Sequence, residues 1–177
     1  GYLSEVLPVP QPASARAFAL AAVTRILQEE AAGIEFASRP GNSQSAWTAP
    51  QLASFRSLGE RERAMLMVDR SGESDDIGTE VNITYHGDGC FTVAAGPQGT
   101  VEISSASLSA DGTLVATVTD DSCVAGLPCL VRATCVEHEG TVHVFDPSDE
   151  SAPHMYEIEL PSLSFADAAG GSGRPAM

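Results

Sequence analysis

The sequence contains no lysine: its nine basic side chains are all arginine. Within these 177 residues, then, nothing can carry biotin, form a Schiff base or act as a phosphate-loop lysine. Cys90, Cys123, Cys129 and Cys135 form no C-x-x-C pair, so the usual spacing of a zinc site is missing. No apolar run approaches the roughly 20 residues of a membrane-spanning helix, and no signal-peptide pattern opens the sequence. The first residues read as the interior of a longer protein, which leaves the compartment open on that point. Aromatic residues make up 6% of the chain and Trp47 is the only tryptophan.

Hydrophobic residues amount to 43%, enough for one domain's core. Twenty-four acidic against nine basic residues give a net charge of −15. The carboxylates are spread along the chain and read as solvated acidic faces, which repel nucleic acid and anionic lipid. Cys90 and Cys135 fall in strand-like segments, where free thiols are expected to be buried. A structural disulfide is not expected, and unpaired thiols suit a reducing compartment.

Residues 1–12 carry three prolines and read as a linker or the tail of a preceding domain. A helix is expected over 13–33, with Pro12 near its first turn and Gly33 just past its end. Successive 100° steps place Leu20, Ala22, Val23, Ile26, Leu27 and Ala31 on one broad apolar face, with Thr24, Arg25, Gln28 and Glu29 opposite. A face that wide asks to be enclosed. Residues 34–60 lack periodicity, are punctuated by Pro40-Gly41-Asn42, and are expected to form an irregular connection.

From about residue 63 the period becomes two. Val81, Ile83 and Tyr85 alternate with polar residues, as in a strand buried on one face. Further strands are expected at 65–69, 90–95, 100–104, 114–119, 128–137, 141–145 and 154–160. Gly87-Asp88-Gly89, Asp111-Gly112 and Glu139-Gly140 supply the turns. With no helix-length connection between them, these eight strands must be antiparallel. The expected fold is α+β: an up-and-down β-barrel over 63–160 around one N-terminal helix, with closure removing the sheet edges. Residues 161–177 are Ala/Gly/Ser-rich and read as a flexible linker.

No residue set announces chemistry. His86 and His138 lie beside turns, His143 should point outward if Val142 and Val144 point inward, and His154 starts the last strand; none pair at metal spacing. Gly171-Ser172-Gly173 lacks the strand and helix of a nucleophile elbow. Asp75-Asp76 does not complete a calcium loop. Asn82-Ile83-Thr84 matches a glycosylation sequon by chance, and Gly87/Gly89 lacks the third glycine of a dinucleotide fingerprint. Catalytic, cofactor-binding and metal residues are all expected to be absent. A structural or binding module remains.

Several segments, in order, carry a resemblance. These are residues 1–10, AAVTRILQEE (21–30), VNITYHGDGCFTV (81–93), EGTVHVF (139–145), YEIELP (156–161) and the closing Pro175-Ala176-Met177. Together they resemble the BT domain, which links the biotin carboxylase and carboxyltransferase parts of the 3-methylcrotonyl-CoA carboxylase family, in its biotin-containing α subunit. The family often has an aromatic-Arg-Leu-Asn segment before the first strand; Phe55-Arg56-Ser57-Leu58-Gly59 lacks the asparagine.

The resemblance implies a barrel around a helix, no catalysis by this fragment, and assembly of a hetero-oligomer with the carboxyltransferase β subunit. It implies biotin carboxylase and biotin carrier domains in the same chain. It also implies a parent ligase that uses ATP with magnesium, bicarbonate and biotin in leucine breakdown. The setting would be the mitochondrial matrix, or the cytoplasm of a bacterium, with no nucleic acid or membrane as partner. The family's hook-like connection maps to 34–60, where Trp47, Phe55 and Arg56 are the expected partner contacts; Trp47 could instead seal the barrel end. The alternatives are the linking domain of a propionyl-, acetyl- or geranyl-CoA carboxylase, a small-ligand barrel of the lipocalin type, and, last, an enzyme.

Overall fold

Alternation of apolar and polar residues, interrupted by glycine turns, builds eight strands. In the computed structural model, which describes residues 12–37, 61–71, 78–147 and 154–160, these are β1 (Arg61–Asp69), β2 (Thr79–Gly87), β3 (Cys90–Ala94), β4 (Thr100–Leu108), β5 (Thr113–Thr119), β6 (Cys129–His138), β7 (Thr141–Asp146) and β8 (His154–Glu159). Each pairs antiparallel with the next, and β1 pairs with β8 to close the barrel. The helix α1 spans Ala15–Ala37. The expected helix-in-barrel fold is therefore the observed one.

The turn at Asp111-Gly112 shows why its residues are needed. Gly112 has φ +82°, and a Cβ there would lie 2.8 Å from the Cys135 carbonyl oxygen. That carbonyl lies so close because the Cys135 N–H donates to the Gly112 carbonyl at 2.8 Å. Glycine alone accepts both constraints. The seam between β1 and β8 is short, pairing Val68 with Glu159 and Asp69 with Ile158. It is extended by the Arg70 N–H to the Glu157 carbonyl (2.7 Å), by the Glu157 N–H to Ser71 Oγ (2.8 Å), and by the Arg70–Glu159 ion pair.

Every strand turns one row inward. Val81, Ile83, Phe91, Val93, Val101, Ile103, Leu114, Val118, Val142, Val144 and Ile158 are all buried. They meet α1, whose residues 17–24 are buried around the whole circumference. An eight-stranded barrel has an interior ordinarily just wide enough for its own side chains. A helix fits because Ala17, Ala19, Ala21 and Ala22 keep it thin, while Phe18, Leu20, Val23 and Ile26 fill the wider levels. Alanine also has the best helix propensity, so the same residues serve local structure and packing.

Three expectations about the helix need correction. Thr24, placed opposite the apolar face, is fully buried, because enclosure leaves no solvent side at that level. Ala31, placed on the apolar face, is exposed, because the helix has left the barrel there. Gly33 does not end the helix: the helix continues through 34–37, beyond the boundary expected for the irregular connection, and an internal glycine costs only about 1 kcal/mol. Leu27 is half-buried against the core. Cys90, expected to be buried, is likewise only half-buried.

Ion pairs fix the helix where it leaves the barrel. Arg25 pairs with Glu29 one turn on (2.8 Å) and with Glu137 of β6, and Glu29 also pairs with Arg63 of β1. These side chains are more than a third exposed apart from Glu137, so each pair should contribute little. In urea melts, Ile26→Ala should cost about 2–5 kcal/mol and Arg25→Ala at most about 1 kcal/mol; equal losses would contradict enclosure. Among the described residues the Thr24 hydroxyl makes no full hydrogen bond and faces only the Cys135 thiol, a weak partner, which leaves part of the burden of about 1–3 kcal/mol for a buried polar group. Thr24→Val should therefore raise the urea midpoint, and a lowered midpoint would mean that the hydroxyl is satisfied in solution.

Candidate functional site

At the opposite mouth of the barrel, α1 begins behind Ser14, whose Oγ accepts the Ala17 N–H at 3.2 Å, an N-cap interaction. The preceding Ala13 N–H donates to Asp69 Oδ2 at 2.6 Å, tying the start of the helix to β1. Arg16 then reaches across the mouth. Its Nε and Nη2 donate to Asp120 Oδ2 and Oδ1 at 2.6 and 2.8 Å, a two-pronged pair of the kind guanidinium and carboxylate make best. Ser122 completes the cluster: its hydroxyl accepts from Arg16 and donates to Asp120 Oδ1 at 2.6 Å.

The cluster borders a cavity of about 300 Å³ lined by both ends of the chain's fold, including Ser14 and Arg16 of the helix start, Gln98, Thr100, Asp121, Asp146 and Tyr156. Asp146, at the end of β7, is buried. Burial opposes ionisation of Asp120, but the hydrogen bonds from Arg16 and Ser122 and the charge of Arg16 outweigh it, holding the carboxyl well below the usual range. Burial likewise opposes the Arg16 charge and is outweighed by Asp120. A carboxylate so stabilised is too weak a base to activate the Ser122 hydroxyl it accepts from. The arrangement is a lock between the helix and the β5–β6 connection.

Trp47, Phe55 and Arg56, the expected partner contacts, lie outside the described residues, as do Asp75, Asp76 and Ser172. The histidines are not brought together: His86 meets the Thr92 hydroxyl at 2.8 Å, His143 points outward within 3.8 Å of Glu157, and His138 is exposed. Among the described residues, no three His, Cys, Asp or Glu side chains converge as metal ligands, and no helix is long and apolar enough to cross a membrane.

Two features stand outside the residues expected to matter. One is the Arg16–Asp120 lock, whose partners are 104 residues apart and leave no local pattern. The other is an outward apolar row formed by Val136, Phe145 and Met155, all exposed, on three neighbouring strands. Phe145 lies directly opposite Met155, and Val136 stands diagonal to it beside His143. This row was legible, because the parity that turns His143 outward turns Phe145 outward too.

Fold and mouth together define an up-and-down, eight-stranded antiparallel barrel filled by its own N-terminal helix. No protein-family model matches the chain, and no curated protein matches it.

Asp120 sets an acid limit on the lock. In the unfolded chain its carboxyl titrates near about 3.9, and in the folded protein lower. The stability it supplies is therefore complete above about pH 4 and is lost as pH falls through the folded-state value. Asp120→Asn should be less stable than the parent at pH 7, and the gap should shrink steadily below pH 4. A gap that stays constant into acid would refute the ionised lock.

Proposed function

We propose that this chain is the non-catalytic linking domain of a biotin-dependent acyl-CoA carboxylase, of the 3-methylcrotonyl-CoA type. In this reading it holds the biotin carboxylase part of the α subunit against the carboxyltransferase β subunit in a hetero-oligomer. The observation that carries the reading is the burial of α1 around its whole circumference between residues 17 and 24. That is the architecture the sequence resemblance implies, and it leaves the barrel's outside and rims as the surfaces open to other molecules. Carboxylation by the parent, with ATP, magnesium, bicarbonate and biotin, would fall to domains outside this lysine-free stretch. The compartment in this reading is the mitochondrial matrix, or the cytoplasm of a bacterium.

Partner contact in this proposal uses Trp47, Phe55 and Arg56, side chains of the types enriched at binding hot spots. The Val136–Phe145–Met155 row supplies a second apolar contact. With a net charge of −15, the surface favours a partner face carrying arginine or lysine. The linking domain of a propionyl-, acetyl- or geranyl-CoA carboxylase is the nearest variant of the same reading.

The cavity at the helix N-terminal mouth sustains one rival, a barrel that takes a small polar ligand at its rim. A lining carboxylate already committed to Arg16 and Ser122 weakens that rival.

Mixing the chain with a methylcrotonyl-CoA carboxylase β subunit should give a stable complex by size-exclusion chromatography and calorimetry. Trp47→Ala and Arg56→Ala should each weaken it by at least about 1–2 kcal/mol with little change in melting. Lowered melting with intact binding would make the connection a lid instead. Absence of a complex with the β subunits of all four carboxylase types would overturn the proposal.

A further inference from the structure

We infer that Cys123 and Cys129 are a redox-active dithiol that closes to an intramolecular disulfide on oxidation by a hydroperoxide. The backbone brings them together. Cys123 N–H donates to the Asp120 carbonyl at 3.1 Å, Gly126 N–H to the Cys123 carbonyl at 3.2 Å, and Leu127 N–H to the Val124 carbonyl at 3.1 Å. This tight turn returns the chain to the first residue of β6 with the two sulfurs 2.8 Å apart. A covalent bond at about 2.05 Å asks the sulfurs to approach by less than about 1 Å. Arg16 Nη2 lies 3.5 Å from each sulfur, and its charge favours the Cys129 thiolate. The other two thiols are placed differently: Cys90 donates to the Ser104 carbonyl, and Cys135 is buried in the core, where burial pushes its thiol up to about 11.

Cys123 is 8% exposed and Cys129 more so, so Cys129 meets the oxidant first. Its thiolate attacks one peroxide oxygen; an S–O bond forms, the O–O bond breaks, and the leaving hydroxide takes a proton to become water. Cys123 sulfur then attacks the sulfenic sulfur. The S–S bond forms, the S–O bond breaks, and hydroxide leaves as a second water with the Cys123 proton. Two electrons pass from the sulfurs to the peroxide, and an added dithiol reverses the reaction by exchange.

Burial and the Cys123 contact push the Cys129 thiol up, against Arg16. Arg16 from the helix and Asp120 from the connection are the charged groups facing the pair, and closure should accelerate with rising pH. The disulfide would fasten the start of β6 to the connection that Arg16 and Asp120 lock to the helix.

The full chain would be treated with hydrogen peroxide, denatured, alkylated with iodoacetamide and weighed. Alkylated cysteines should fall from four to two with loss of two hydrogens, reversibly with dithiothreitol. Trypsin leaves both residues in one peptide, since no arginine lies between Arg70 and Arg132 and the chain has no lysine; thermolysin cleavage before Val124 should leave two peptides joined. Cys129→Ser should keep three alkylatable thiols after the same treatment, and Cys90→Ser should still close the pair. Four persisting thiols, linkage through Cys90 or between chains, or oxygen adducts on Cys123 and Cys129 without linkage would each overturn the inference.

Discussion

The whole barrel depends on how thin its helix is at the levels where it is enclosed. Strands carrying Val, Ile and Phe inward leave little room at the axis, and four alanines within residues 17–22 occupy it. Added methylenes there would overpack a closed ring that cannot open one edge to relieve them. The same constraint explains why the core is continuous: every strand packs its inward row on this helix or on a neighbour that does. Position along the axis is then fixed at both rims, by Arg16 on Asp120 and Ala13 on Asp69 at one, and by Arg25 on Glu137 and Glu29 on Arg63 at the other. The rims are unequal. Asp120 is 7% exposed and Arg16 15%, so breaking that pair leaves a nearly buried charge, on the order of 3 kcal/mol, whereas the other rim faces water.

Much of the fold was legible because strand period and turn chemistry agree. Val81/Ile83, Val101/Ile103 and Val142/Val144 mark inward rows, and Asp111-Gly112 and Glu139-Gly140 mark turns, without tertiary knowledge. The first half of β1 was not legible: Arg61, Glu62, Arg63 and Ala64 offer no apolar alternation, and their strand state comes from pairing with Asn82 to Tyr85. The end of α1 misled because Gly33 is a stop signal by local rules, which the following residues overrode. Thr24 misled because a helical wheel assumes one wet side, and a helix inside a barrel has none.

The mouth of the barrel shows the opposite balance. Arg16 and Asp120 carry no mark in sequence, since one sits in a helix of alanines and the other in a run of polar turn residues. Cys123 and Cys129 lie six positions apart, a spacing without a known motif, and nothing in the sequence said that a 3₁₀ turn would fold one sulfur onto the other. Closure over distance made both features, which is why a reading by local pattern recovers the scaffold and misses what the scaffold brings together. A filled interior also turns attention outward: an acidic exterior and an apolar row across β6, β7 and β8 are the surfaces on which an assembly domain would act.

Native-state hydrogen exchange tests the enclosed helix most directly. The amides of Phe18 to Thr24 should exchange only through global unfolding, with the same free energy as the inward residues of β5 and β6, while those near residues 34–37 should exchange through local opening. Exchange of the 18–24 amides well below the global value, with the strands still protected, would mean a barrel that stands without its helix and would contradict the account.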